Sequence, residues 1–202
     1  MTTACMHPPP LPGLMLAEAT GVVEFSAHPR PMDKDRQESL FDQCIKEHMG
    51  ILLKTAYGFT AEKADRDDLV QEMLLSVWQA IPWFDGRCKL STFLYRVANN
   101  RALNWHRSRR RYRDKLEGFE KHPQLEIDSS ETESRERRLE WLYAVIRKLP
   151  PLDRTLLMLQ LDKLAHREIA EVTGLSESNV GVRLHRIKQW LTEQKEETSH
   201  EL

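Results

Sequence analysis

The sequence predicts an all-α fold: two small helical domains joined by a flexible acidic linker, the second domain carrying a helix-turn-helix. Three observations predict it. Glycine is scarce (8 of 202 residues), strand-like alternation is rare, and long charged stretches carry apolar residues at helical spacing. Between residues 117 and 137 that spacing lapses into a run of acids (Glu117, Glu120, Glu126, Asp128, Glu131, Glu133, Glu136) with Ser129-Ser130, which cannot bury a core and divides the chain. Near the C-terminus, two short periodic segments flank Thr173-Gly174-Leu175, a turn with glycine where a positive φ is convenient. At 40% hydrophobic and 30% charged residues, the chain has material for one or two modest cores.

Residues 1–35 hold six of the ten prolines and apolar residues without period, and read as a disordered Pro-rich tail. Translation from Met32 is the alternative, since a charged helix opening follows it directly. The stretch Leu11 to Ala19 is mildly apolar but lacks the basic flank of a signal peptide.

A first helix is expected over 37–58, where Phe41, Ile45, Leu52, Leu53, Ala56 and Tyr57 recur and Gly58 marks the stop. A second runs over 65–81, with acids crowding its first turn, which suits the helix dipole. Its apolar face is Val70, Met73, Leu74, Val77 and Ile81; Asp68, Gln71, Glu72, Leu75 and Gln79 form another face, acidic with an apolar centre. Such a face is either solvated surface or a dock for a basic partner helix. Pro82 ends the helix, and Asp85-Gly86 turns the chain.

The third helix is expected over 91–107 with Ser91 as N-cap. Leu94, Val97, Ala98, Ala102 and Trp105 form its core stripe, and Arg96, Asn100, Asn104 and Arg107 fall together on another side. Arg and Asn side by side can hydrogen-bond phosphates and base edges together. From Gly86 to Lys121 there are eleven Lys/Arg against three acids, a local charge of +8 in a chain of net −1. A basic block in a neutral chain asks for an anionic partner, nucleic acid first.

After the linker, Leu142, Val145, Ile146 and Leu149 resume helical spacing until Pro150-Pro151, and a short helix follows from Asp153. The helix-turn-helix spans 165–191: Ile169, Ala170 and Val172 pack its first helix, Ser176 caps the second, and Val180, Leu184, Ile187 and Leu191 line the buried side. Glu177, Ser178, Asn179, Arg183 and Arg186 face outward, where a recognition helix meets a major groove.

Several classes are disfavoured. Cys5, Cys44 and Cys88 lie far apart, which fits a reducing cytoplasm and neither a disulfide scaffold nor a metal site. No apolar run approaches a membrane span. No Walker pattern marks an ATP site, and no cofactor is expected. His106, His166 and His185 are the histidines an enzyme reading would use, but none has companions at catalytic spacing, so no enzyme is expected. A helix-turn-helix regulator of duplex DNA explains residues 165–191 and leaves the N-terminal basic helix idle.

Together, DRDDLVQEMLLSVWQAI, FDGR…STFLYRVANNRALNWHR and LPPLDRTLLMLQLDKLAHREIAEVTGLSESNVGVRLHRIKQWL resemble regions two and four of a bacterial extracytoplasmic-function (ECF) sigma factor, over roughly 37–113 and 138–194. The resemblance implies a cytoplasmic protein with a region 2 domain (36–114), a linker (115–137), a region 4 domain (138–194) and a tail (195–202). It would bind core RNA polymerase, its β′ coiled coil through Asp68, Gln71, Glu72 and Leu75. Arg87, Lys89, Arg96, Asn100, Asn104 and Arg107 would recognise and open the minus-ten promoter element. Glu177, Ser178, Asn179, Arg183, His185 and Arg186 would read the minus-thirty-five element, and the linker would thread toward the active site and RNA exit path of the polymerase, whose β′ and β subunits are the implied partners. Many members are held inactive by an anti-sigma factor, which makes one a candidate partner, although nothing in the sequence identifies it. The recognition helix departs from the family's Gly-Thr-Val-Lys-Ser-Arg run: Ser178-Asn179-Val180-Gly181-Val182-Arg183 lacks the Lys, and Gly181 weakens the helix by about 1 kcal/mol relative to Ala.

Without ATP, such a protein must trap opened DNA by binding energy. Basic groups would hold the backbone, polar groups the base edges, and aromatic faces would stack at about 1–3 kcal/mol per base. Phe84, Phe93, Tyr95 and Trp105 are the aromatic candidates, Phe93 and Trp105 doubling as core candidates.

Overall fold

Helices make up all the regular structure of the computed structural model, which describes residues 32–115 and 131–200. The elements are α1 (Lys34–Phe59), α2 (Lys63–Ala80), a 3-10 turn (Ile81–Trp83), α3 (Leu90–Lys115), α4 (Glu131–Lys148), α5 (Pro151–Leu161), α6 (His166–Thr173) and α7 (Glu177–His200). Most of the expected tail and the linker residues 116–130 lie outside the described residues. Met32, the alternative start, is half-buried against the core.

The helices α1, α2 and α3 pack on one another as the N-terminal unit. Leu52, Ala56, Leu69, Met73, Val77, Ile81, Leu94, Ala98 and Ala102 are all but sealed from solvent between them. Phe41 meets Trp78 edge-on at 5.4 Å, and Gln37 Nε2 donates to the Trp78 carbonyl at 2.9 Å, fixing the start of α1 against the end of α2. Ile81-Pro82-Trp83 tightens into a 3-10 turn because Pro82 cannot continue the helix.

In the C-terminal unit, Ile146, Leu156, Leu159, Ile169, Val180 and Leu184 form the packed interior. Pro151 opens α5 at its first turn, where a missing N–H costs nothing. At the end of α6, Gly174 takes φ 75°, the left-handed cap expected of the helix-turn-helix. Ser176 Oγ accepts the Asn179 N–H at 3.2 Å, so the expected cap of α7 is formed.

Several boundaries differ from expectation. The third helix starts at Leu90, so Ser91 lies in its first turn and is not its N-cap; it also runs on to Lys115, past residue 107. α4 begins at Glu131, inside the acidic stretch, and α7 reaches His200. In each case the added turns carry charged residues and almost no apolar ones, so hydrophobic periodicity could not register them. The two units also touch: α1 and α3 pack against α4, α5 and α6, and the buried apolar residues form one continuous cluster.

Candidate nucleic-acid and partner-binding faces

On α2, Asp68, Gln71 and Leu75 stand exposed on one stripe, with Leu75 58% accessible. Leu75 is thus an apolar side chain left open between polar neighbours. Glu72 is half-buried instead: its Oε2 takes both Nη2 (2.7 Å) and Nε (3.0 Å) of Arg101. The pair ties α2 to α3, and neither partner signalled it in sequence, being 29 residues apart.

The stripe on α3 divides. Asn100 and Arg107 are exposed and Asn104 half-exposed, so these three present a polar, basic surface. Arg96 sits on the same stripe but is only 4% accessible, its Nη2 donating to the Glu171 carbonyl of α6 at 2.6 Å. Lys89, at the mouth of α3, pairs with Glu168 at 3.0 Å. Two bonds hold the Glu168 carboxyl below the usual glutamate range, first the Ala165 backbone N–H and then Lys89. In the preceding loop, Asp85 accepts the Arg87 backbone N–H at 3.1 Å and pairs with its guanidinium at 3.1 Å, while Gly86 supplies φ 76°. That turn displays Arg87 at the surface.

The aromatic candidates also sort. Phe93 is core, packed at 5.2 Å against Phe84, and Trp105 is partly buried with the Arg109 guanidinium 5.0 Å over its ring. Arg109 is further held by Asp65 of α2. The Tyr95 hydroxyl donates to Asp162 at 2.7 Å; burial first, then that carboxylate, push its pKa far up. Asn99, not singled out by the sequence, is buried: it donates to the Tyr95 carbonyl at 2.9 Å and accepts from Thr155 at 3.3 Å.

On α7, Glu177, Ser178, Asn179, His185 and Arg186 are exposed along the outer face. Arg183 is partly exposed and leans on Asp153 of α5 at 2.9 Å. Gly181 faces α6, where a Cβ would rest 3.7 Å from His166 Nδ1, an ordinary contact. Among the described residues no group of three His, Cys, Asp or Glu side chains could hold a metal, and no helix is long and apolar enough to cross a membrane.

The three-helix unit thus carries a basic, Asn-bearing face, and the helix-turn-helix an outward polar face. The family model for sigma-70 region 2 matches residues 44–112, and that for sigma-70 region 4 matches residues 139–191; together they take in more than half of the chain. The RNA polymerase sigma factor YlaC of Bacillus subtilis is 29% identical over 174 residues, 81% of this chain and 96% of its own. The ECF RNA polymerase sigma factor SigW of the same organism is 26% identical over 171 residues, 80% of this chain and 91% of its own. In fold, the chain is similar to the sigma factor RpoE of Bartonella quintana, solved in complex with the anti-sigma factor NepR, with a TM-score of 0.58 and 19% identity over 76% of this chain and 94% of that one. The chain belongs to the ECF sigma factors. As such it is a factor of promoter-specific transcription initiation, acting with core RNA polymerase on promoter DNA.

Proposed function

We propose that α2 docks on the β′ coiled coil through Asp68, Gln71 and Leu75, with Glu72 shaping that face through its bond to Arg101. The region 2 unit, residues 36–114, then opens the minus-ten element with Asn100, Asn104 and Arg107. Arg87 and Lys89 add backbone contacts, whereas Arg96, expected to join them, is buried under α6 and serves to hold the two units together. The region 4 unit, residues 138–194, reads the minus-thirty-five element through Glu177, Ser178, Asn179, Arg183, His185 and Arg186. Residues 115–137 strap the two units together within the polymerase. The chain works in the cytoplasm and performs no chemistry of its own; nucleotide addition belongs to the polymerase. An anti-sigma factor is a candidate partner by likeness to the Bartonella protein, which was solved with one.

The observation that carries this reading is the exposed pairing of Asn100 with Asn104 and Arg107 on a helix whose other side is core. Amide side chains present donors and acceptors to base edges, and the adjacent guanidinium serves phosphates. Run-off transcription with core polymerase and a genomic promoter library tests it. Defined start sites, lost when core polymerase is used alone, are the expected result; specific DNA binding without initiation would make the chain a plain helix-turn-helix regulator.

A further inference from the structure

Among the described residues of α7 that stand exposed, Val182 alone has no polar group, and it is 51% accessible. A single apolar side chain on a surface carries no meaning by itself; its position does. Ser178 and Asn179 stand four and three residues before it, His185 and Arg186 three and four after it, and all are exposed. Residues at those spacings are neighbours on a helix, so Val182 sits at the centre of the outward face. The other side of α7 is fixed in place: Val180, Leu184 and Ile187 are buried, Ser176 caps the first turn, and Arg183 is tied to Asp153. Because α7 opens at Glu177, Val182 also lies within its first two turns, the part of a recognition helix that reaches base edges. The family's run carries Ser where this chain has Val182.

We propose that Val182 sets a base preference: seated in the major groove, it packs on the 5-methyl of a thymine in the minus-thirty-five element and disfavours a G·C pair at that step. This rests on the reading of α7 as the helix that enters that element.

The chemistry of the groove selects the occupant. Of the groups that the four ordinary bases present there, only the thymine methyl projects as an apolar one; the rest are hydrogen-bond donors and acceptors. A valine side chain can neither donate nor accept. Set against O6 and N7 of guanine, or the amino group of cytosine, it would strip water from polar atoms and return nothing. Set against a methyl, it removes apolar surface on both sides from water. Branching at Cβ leaves valine essentially one rotamer in a helix, so little side-chain freedom is lost on contact. The polar frame supplies register: the Arg186 guanidinium suits a phosphate or a guanine edge, and Asn179 and Ser178 suit the edges of neighbouring bases. A hydrophobic partner would need a contiguous apolar patch, whereas the helix neighbours of Val182 on this face are all polar.

Holoenzyme, formed from core polymerase and the full chain, is bound to a promoter taken from the run-off library. Each thymine of the upstream element, on both strands, is replaced in turn by deoxyuridine, which lacks the 5-methyl and keeps every hydrogen-bonding group. Affinity is read by competition gel shift at fixed salt. At one position the wild-type chain should bind about fourfold more weakly, the worth of one buried methyl. With Val182→Ser that position should become indifferent to uracil, whereas Val182→Ile should stay sensitive. Should Val182→Ser differ from wild type by circular dichroism, Val182→Gln replaces it. An upstream element without thymine, wild-type affinity unchanged at every uracil, or an equal loss in wild type and Val182→Ser overturns the proposal. Asn179→Ala with Arg186→Ala separates it from the assignment of α7. If that double variant still prefers the upstream element over a scrambled one as strongly as wild type does, α7 does not read the element. If the preference falls while uracil has no effect on wild type, only the role of Val182 fails.

Discussion

Replacing Leu75 by Arg isolates the docking surface from the fold. The side chain is 58% accessible in the free chain, so the change leaves the core intact and should alter stability by no more than about 0.5 kcal/mol. Fully burying a leucine is worth about 1.5–3 kcal/mol, and a docked partner would cover roughly the share now open, which gives about 1–2 kcal/mol. The loss is thus about 5- to 30-fold in the affinity for core polymerase. A titration of fluorescently labelled chain with core polymerase at fixed salt reads it directly, with the thermal melt of the free protein as the control. Unchanged affinity alongside an unchanged melt would mean that Asp68, Gln71 and Leu75 are solvated surface, and the docking argument would have to move to another face.

Three other changes probe separate parts of the structure. Gly181→Ala should raise the melting temperature by about 1–4 °C, because the added methyl meets only the His166 ring at ordinary distance and α7 sheds a flexible residue; a lower melt would show that the helix contact is tighter than 3.7 Å implies. Arg183→Ala should weaken promoters that rely on the upstream element more than those lacking it, and an equal loss on both would count against a reading role. Burial pushes the Cys44 thiol up to about 11, so at about pH 8 it stays protonated and should resist alkylation in the native chain, then label at an ordinary rate in denaturant; prompt native labelling at Cys44, located by peptide mapping, would contradict its place in the core.

Much of this architecture could be read from the chain, and the limits have physical causes. Gly174 and Ser176 mark the helix-turn-helix because a left-handed cap and a side-chain N-cap are local events, decided within a few residues. The acidic-apolar stripe of α2 was legible because spacing alone puts Asp68, Gln71 and Leu75 side by side. The fate of α3 was not. Arg96 and Asn100 sit four residues apart on one stripe, yet one is buried under α6 and the other exposed, and only the docking of a distant segment decides that. Asn99 and Asn100 are identical neighbours with opposite environments for the same reason. Glu72 looked like a free acid and is an internal tie to Arg101.

The account turns on whether α3 opens promoter DNA once the chain is mounted on polymerase. Permanganate footprinting of unpaired thymines, at a promoter taken from the run-off library, tests this most directly. Holoenzyme formed with the wild-type chain should show reactive thymines across the minus-ten element, and Asn100→Ala with Asn104→Ala should abolish them while polymerase binding persists. Equal reactivity with the two chains, or none with the wild type at any start site, would contradict it.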